Sequence, residues 1–450
     1  MTHDPHGWHA RLAPALRGRA HGALRTPHGA CTGDDVWRLG MAWAASLRAN
    51  GVAPGDRVVC ALPAGPAYVA LLLAALTEGW TLAPLPTGAD LEAAAHALDA
   101  RAAVRDADPA RAALHAPRGA PTPHVRLLLR TSGTTGAARW IALSDANLCA
   151  VLDSHAPLHA LDGATILSVI PWHHAFGLVI QLLPALAARA TLVREASDGR
   201  DVASVLACAT SHAATHVDAV PHTLQQLVAR PGGPALLAVL RGGVVGGAPV
   251  DAALAAHLAH TRLRVGYGQT EAAPGIALGA PGEWRAGILG RPVGCAVRLD
   301  DDGVLAFRGP NACVGTWEAG ALHALPPDRW VRTGDLARRD DDGTLRFEGR
   351  LAHSFKLANG RPVATACIEA ALRARFPAVR EVLLSSPDGH ALLLAVSADG
   401  AVPRASALAP LLGGLASRPL RVVRVSADAW VRTPKGELDR RHPTGAPGPA

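Results

Sequence analysis

Val125-Arg-Leu-Leu-Leu-Arg-Thr-Ser-Gly-Thr-Thr-Gly136 joins a short apolar run to a segment of small hydroxyl residues and glycine. Val125–Leu129 reads as a buried strand. The six residues from Thr131 to Gly136 then read as a turn. Its glycines permit positive φ, which lets successive backbone N–H groups point inward at an anion. Hydroxyls of Thr131, Ser132, Thr134 and Thr135 add donors. Such a loop suits the β- and γ-phosphates of a nucleotide. It lacks the Gly-Lys-Ser/Thr of a Walker loop, and taken alone a run like this is more often a solvated turn.

Upstream, residues 36–50 place apolar side chains at helical spacing and end at Gly51 and a Pro54-Gly55-Asp56 turn. Val58–Leu62 is a short strand, Ala67–Thr77 an apolar helix and Trp80–Leu85 a second strand. This β-α-β rhythm predicts a parallel sheet covered by helices. Residues 87–122, Ala-rich with Pro-rich edges, read as helical. Downstream the rhythm returns at Thr165–Ile170, His216–Val220 and Val244–Val245. From about residue 285 the texture changes to short strands (Val297–Leu299, Val304–Arg308, Leu345–Phe347) with Asp-Asp-Gly turns at 300–303 and 340–343. Past Arg350, a helix over Ala364–Arg375 and strands at Glu381–Ser385 and Ala391–Val396 read as an α+β segment. Residues 443–450 have the Pro/Gly composition of a disordered tail. The expected class is α/β. Residues 1–350 form a large N-terminal domain of helix-covered parallel sheets with a small β-rich subdomain. Residues 351–450 form a small α+β domain.

The chain has 450 residues, 49% of them hydrophobic, enough to bury more than one core. The longest apolar run, Tyr68–Leu76, is about half the roughly 18 residues that a membrane span needs. The first residues carry no apolar signal core. Seven cysteines form no CxxC pair, and an odd count argues against a disulfide framework; a reduced cytoplasm is the expected setting. The net charge of +7 is spread along the chain. That argues against a nucleic-acid binder, which gathers its charge into a face or tail. Compositional drift or attraction of an acidic partner accounts for it. Only two lysines occur, Lys356 and Lys435. Arginine fills the other basic positions, so a lysine that persists marks a place for a compact, single-point ammonium.

Three further segments carry chemistry. In Gly246-Gly-Ala-Pro249, two glycines let backbone approach a flat ligand. In Gly266-Tyr-Gly-Gln-Thr-Glu271, an aromatic face can stack on a base, a hydroxyl can meet phosphate, and a carboxylate can hold Mg²⁺. In Arg332-Thr-Gly-Asp335, a carboxylate can accept both hydroxyls of a ribose, and Gly349-Arg350 follows. Each alone also fits an ordinary turn.

In their order along the chain, Thr131–Gly136, Pro171-Trp-His-His-Ala-Phe-Gly177, Gly246–Pro249, Tyr267–Glu271, Thr333-Gly-Asp335 and Gly349-Arg350 with Lys356 and Gly360 resemble the core motifs of the adenylate-forming superfamily. That superfamily includes acyl-CoA synthetases, aryl-CoA ligases, fatty acyl-AMP ligases, peptide-synthetase adenylation domains and luciferases. The resemblance spans about residues 36–441. It implies that Thr131, Ser132, Gly133, Thr134, Thr135 and Gly136 grip phosphate, with Arg139 where relatives usually have lysine. Gly247, Ala248, Pro249 and Tyr267 would surround adenine, Thr270 would meet the α-phosphate, Glu271 the Mg²⁺, and Asp335 with Arg350 the ribose. His174 would stand beside the acyl pocket, and the segment holding Lys356 would face the thiol tunnel. The implied chemistry is attack of a carboxylate on the α-phosphate of Mg·ATP. Pyrophosphate leaves, and a thiolate of coenzyme A or of a carrier-protein phosphopantetheine then displaces AMP. Between the steps the mobile C-terminal domain would turn about position 352, where Ala352 replaces the usual Asp or Lys. With no carrier domain fused, any acyl carrier protein would act in trans.

The last motif departs from the family pattern. In Val431-Arg-Thr-Pro-Lys-Gly-Glu-Leu-Asp-Arg440, Glu437 occupies the place of the adenylation lysine. A carboxylate there repels both substrate anions. Lys435 lies two residues earlier, and in an extended segment a shift of two keeps a side chain on the same face. Lys435 is therefore expected to take the catalytic role. The alternatives are Arg432 or Arg440 standing in, or a catalytically impaired acyl-nucleotide-binding homologue. The motif at His174 lacks the Asp that relatives use to pair an amino acid's ammonium, which disfavours an α-amino acid. A pocket built from 171–178, 216–222 and 244–248 is mostly apolar. A fatty or other medium-sized apolar acid is the expected substrate, with an aryl acid as the alternative.

Overall fold

The computed structural model describes residues 7–20, 22–27, 29–116, 120–131, 139–351, 354–358, 362–426 and 429–430. The chain divides into two compact units, one of Met1–Val297, Phe307–Val331 and Asp340–Leu345, the other of Arg298–Ala306, Arg332–Arg339 and Arg346–Ala450.

The first unit opens on the β-α-β rhythm. Strand Arg57–Cys60, helix Pro66–Glu78 and strand Thr81–Pro84 follow one another, and the strands pair in parallel. Pro66 starts the helix and Gly79, at φ 74°, stops it. Every residue from Tyr68 to Leu76 is buried, so this helix is apolar all round and lies inside the unit. Helix Gly33–Ala49, begun by a Thr32–Asp35 capping box, packs against it. Trp8, Trp43, Tyr68 and Trp80 lie in the resulting core.

The sheet built on these strands has the order Ala321–Ala324, Gly315–Glu318, Arg139–Ser144, Val125–Thr131, Thr81–Pro84, Arg57–Cys60, Ala102–Val104, Ala113–Leu114. Its middle is parallel and both ends are antiparallel. The parallel middle is the sheet that the β-α-β rhythm predicts, and connection length explains the antiparallel return at Arg139. Seven residues separate Thr131 from Arg139, whereas a parallel crossover needs about a dozen or more. The next strand must return antiparallel. Residues 87–122 also differ from the helical expectation. Only Leu91–Leu98 is α-helical, closed by Asp99 at φ 50°, and Ala102–Val104 is a fully buried strand beside Arg57–Cys60. Alanine's helix preference is a weak prior, overridden here by pairing on both sides, with Arg57–Cys60 and with Ala113–Leu114.

A second sheet runs His216–Asp218, Thr165–Ser168, Thr191–Arg194, Gly22–Thr26, Gly29–Thr32, parallel except for the last pair. Val244–Val245 pairs in parallel with Arg264–Tyr267, which pairs antiparallel with Ala277–Leu278.

Strands Leu345–Arg350, Val331–Arg339, Val304–Arg308 and Ala296–Leu299 are neighbours in that order. A hairpin of Ser354–Lys356 and Pro362–Ala364 precedes helix Ala366–Arg375. Strands Val379–Ser385, Leu392–Ala398 and Leu420–Arg424 form a three-stranded sheet. Leu372, Val382, Leu394, Val396 and Leu408 make its core. Buried Glu369 accepts the Leu384 N–H at 3.0 Å. Among the described residues no helix is long and apolar enough to cross a membrane.

Candidate active site

Pairing of Val244 with Arg264 and Val245 with Val265 brings two glycine-rich strand ends side by side. At Gly246 a Cβ would lie 2.7 Å from the Gly266 carbonyl oxygen, and at Gly268 one would lie 1.4 Å from the Pro274 carbonyl oxygen. Only glycine permits this approach, and it leaves a cradle for a flat group. Tyr267 is half-buried at its edge. After it, Thr270–Ala272 forms one 3₁₀ turn that ends at Ala273 with φ 52°. The Glu271 carbonyl accepts the Cys313 N–H at 2.8 Å, pinning the backbone while the Glu271 side chain keeps partial access to water. Buried Asn311 donates to the Gly275 carbonyl at 2.6 Å and holds the loop from the other side. Neither Cys313 nor Asn311 lies in a segment that sequence reading singled out.

Facing the cradle is the helix that follows Pro171–Gly177. Phe176–Leu182 is a π-helix, a form often found at functional sites. Phe176 and Ile180 line a pocket of about 70 Å³ together with His155, Gly246, Tyr267, Gly275 and Leu278. His174 is not among the residues lining it. Its N–H donates to the Pro171 carbonyl at 3.2 Å, its ring lies 4.4 Å from that of His173, and burial lowers its pKa. His173, pushed down to about 4 chiefly by burial, lines a larger cavity of about 650 Å³ with Tyr68, Trp172, Arg194 and Arg200.

A buried polar chain ties the π-helix to the cradle. Ser168 donates to Gln181 at 2.5 Å, Gln181 donates to Asp218 Oδ2 at 3.1 Å, and the Val244 N–H donates to Asp218 Oδ1 at 2.8 Å. Trp172 Nε1 donates to Ser168 Oγ at 2.9 Å, and Tyr68 donates to the Trp172 carbonyl at 2.7 Å. Burial pushes the Asp218 carboxyl up to about 6.

Thr131 ends its strand opposite Arg139, whose exposed side chain pairs with Glu318 at 3.4 Å. Ser132, Gly133, Thr134, Thr135 and Gly136 lie outside the described residues, as do Ala352, Lys435 and Glu437. Ala248 and Pro249 are exposed just past Gly247. In the second unit Asp335 is buried, 2.7 Å from Arg350 Nε, and its own N–H donates to Thr333 Oγ1 at 3.0 Å. Lys356 belongs to strand Ser354–Lys356. Among the described residues no group of three His, Cys, Asp or Glu is arranged to hold a metal. A lone carboxylate such as Glu271 does suit Mg²⁺, which keeps most of its ligands as water and substrate phosphate.

Residues 98–315 match the family of AMP-binding enzymes. Feruloyl-CoA synthase of an Amycolatopsis species is 31% identical over 386 residues, 76% of this chain and 77% of the relative. Long-chain-fatty-acid–CoA ligase 1 of Cavia porcellus is 34% identical over 183 residues, 37% of this chain and 26% of the relative. Among solved structures, the amide bond synthetase McbA from Marinactinospora thermotolerans is similar, with a TM-score of 0.75 at 25% identity over 96% of this chain and 98% of that one.

Proposed function

The chain belongs to the AMP-binding enzyme family of adenylate-forming acyl- and aryl-CoA ligases, and we propose that it activates a compact, largely apolar aryl acid and passes it to the thiol of coenzyme A. The observation that carries this reading is the pocket between the glycine cradle and the π-helix. Its walls are Phe176, Ile180, Tyr267 and Leu278. A short space with aromatic and branched walls favours a flat ring over a long flexible chain. The relative matched over most of both chains is named for an aryl acid, whereas the long-chain ligase matches over 26% of its length. Together these weight the choice toward the aryl alternative rather than the fatty acid preferred from sequence.

In this reading the carboxylate attacks the α-phosphate of Mg·ATP and pyrophosphate leaves. Gly246, Gly247 and Tyr267 hold the base, Thr270 contacts the α-phosphate, Glu271 holds Mg²⁺, and Asp335 with Arg350 holds ribose. Catalysis then rests on positioning and charge neutralisation. Residues from 351 onward act as the lid that carries Lys356 and Lys435. A second reading, an impaired acyl-nucleotide-binding homologue, is favoured by Glu437 and Ala352.

Acid-dependent ATP–pyrophosphate exchange across hydroxycinnamic, benzoic, medium-chain and long-chain acids tests the proposal. Exchange is expected with the aryl acids. Exchange with long-chain acids only would overturn the substrate class, and exchange with none would favour the second reading.

A further inference from the structure

Strands whose C-terminal ends carry Gly246 and Tyr267 begin, at their opposite ends, beside a second pocket of about 130 Å³. Three arginines surround it: Arg241 and Arg262 are exposed and Arg264 is half-buried. Among the described residues none of the three has an ion-pair partner; Arg241 donates to the Asp162 carbonyl at 3.2 Å. Two imidazoles complete the wall. His159 is 8% exposed and His216 2%, and each has its Nε2 buried with no hydrogen-bond partner.

Excess surface arginine in an Arg-rich chain accounts for Arg241 and Arg262. It does not account for two buried imidazole nitrogens left unsatisfied between them, because buried polar atoms ordinarily find partners. Nor is the cluster self-neutralising. Burial, then the charges of His155, Arg264 and His216, push His159 down to about 3. Burial and Arg241 push His216 down, and the nearby His159 carbonyl opposes this only in part. Asp218 is the one acid lining the pocket, and its two oxygens already accept from Val244 and Gln181. Three guanidinium groups around a phosphate-sized space, with two imidazoles in its wall, match a tetrahedral oxyanion of more than one charge.

We propose that this pocket binds a small phosphate-type oxyanion, free phosphate or a phosphomonoester, at a site separate from the nucleotide cradle. Gly243 in its wall and Gly246 in the cradle flank the strand Val244–Val245, three residues and about 10 Å apart. The test is calorimetry of the full chain with inorganic phosphate and with phenyl phosphate, the nucleotide site held saturated by AMP. One saturable site per chain is expected, undiminished by AMP. Arg262→Ser with Arg264→Ser should weaken it about tenfold or more, as for loss of charge-assisted hydrogen bonds, and leave AMP affinity unchanged. Arg241→Ser and Arg262→Ser singly change exposed side chains, so their smaller losses are readable even if the double variant folds poorly. Binding of inorganic phosphate alone assigns the free anion; equal or tighter binding of phenyl phosphate assigns a phosphomonoester. Absence of saturable binding by either probe, displacement by AMP, or wild-type affinity in the single and double variants would overturn the proposal.

Discussion

Arg350 Nε lies 2.7 Å from the Asp335 carboxylate, and the two side chains meet water very differently: 52% of Arg350 is exposed and 4% of Asp335. The arginine therefore pairs with a carboxylate that is otherwise shielded, and the ribose contact proposed for this pair is open to test. Asp335→Ala should weaken ATP binding by roughly 1.5–3 kcal/mol through loss of charge-assisted hydrogen bonds. Arg350, left without its partner, still reaches solvent, so the variant should remain folded. Calorimetry with ATP and 2′,3′-dideoxy-ATP is the check. If the variant prefers ATP over the dideoxy form as strongly as wild type does, Asp335 does not read ribose.

Glu271 is anchored by its backbone to Cys313 while its carboxylate stays accessible, so the side chain can change without disturbing the turn. Glu271→Gln should abolish acid-dependent pyrophosphate exchange with the fold intact, because the amide is a much poorer Mg²⁺ ligand than the carboxylate. Near-normal exchange in a folded variant would remove Glu271 from the metal site.

These two residues were legible in sequence because each sits in a short contiguous motif, and the same holds for Gly247 and Tyr267. The helix–strand order of residues 36–85 was also legible, since apolar periodicity and Pro/Gly punctuation agreed there, whereas the helix Trp8–Leu16 and the strands Gly22–Thr26 and Gly29–Thr32 were not read. Agreement failed at Ala102–Val104, where an alanine-rich run has a helical composition but forms a buried strand paired on both sides. The antiparallel return at Arg139 follows from connection length, which periodicity does not register. Long-range pairings were out of reach altogether. Gln181 meets Asp218 across 37 residues, and His159, His216 and Arg264 converge from three separate segments. No local pattern marks such encounters.

Asp218 should leave a signature in stability against pH. Its carboxyl titrates near 6 in the folded chain because burial disfavours the charge, and near 4 when unfolded. Between about pH 4 and 6 the folded state holds a proton that the unfolded state has lost, so this group makes stability fall as pH rises through that window. The full effect is on the order of 2–3 kcal/mol and is constant above it. Asp218→Asn keeps an acceptor for the Val244 N–H and removes the titration. Urea midpoints at pH 4.5 and 7 should therefore differ less in the variant than in wild type. An equal pH difference in both proteins would mean that Asp218 is ionised in the folded chain throughout.

Lys435 is the strongest candidate for the adenylation cation, since Glu437 occupies the position where relatives carry lysine and Lys356 is the only other lysine in the chain. Adenylation develops negative charge between the attacking carboxylate and the α-phosphate, and a fixed cation lowers that barrier. Thioester formation starts from the finished adenylate and does not need that cation. Lys435→Ala should then slow adenylation about 10²–10³-fold, as for loss of one preorganised electrostatic contact. Transfer from synthetic acyl-adenylate to the thiol should be nearly unchanged. That split separates a catalytic role from a structural one, which would impair both half-reactions. Glu437→Lys is the converse test, because it restores the family pattern. Intact adenylation in Lys435→Ala sinks the shifted-lysine assignment. If wild type activates no acid and Glu437→Lys gains the activity, the natural chain is an adenylate-binding homologue held inactive by one carboxylate.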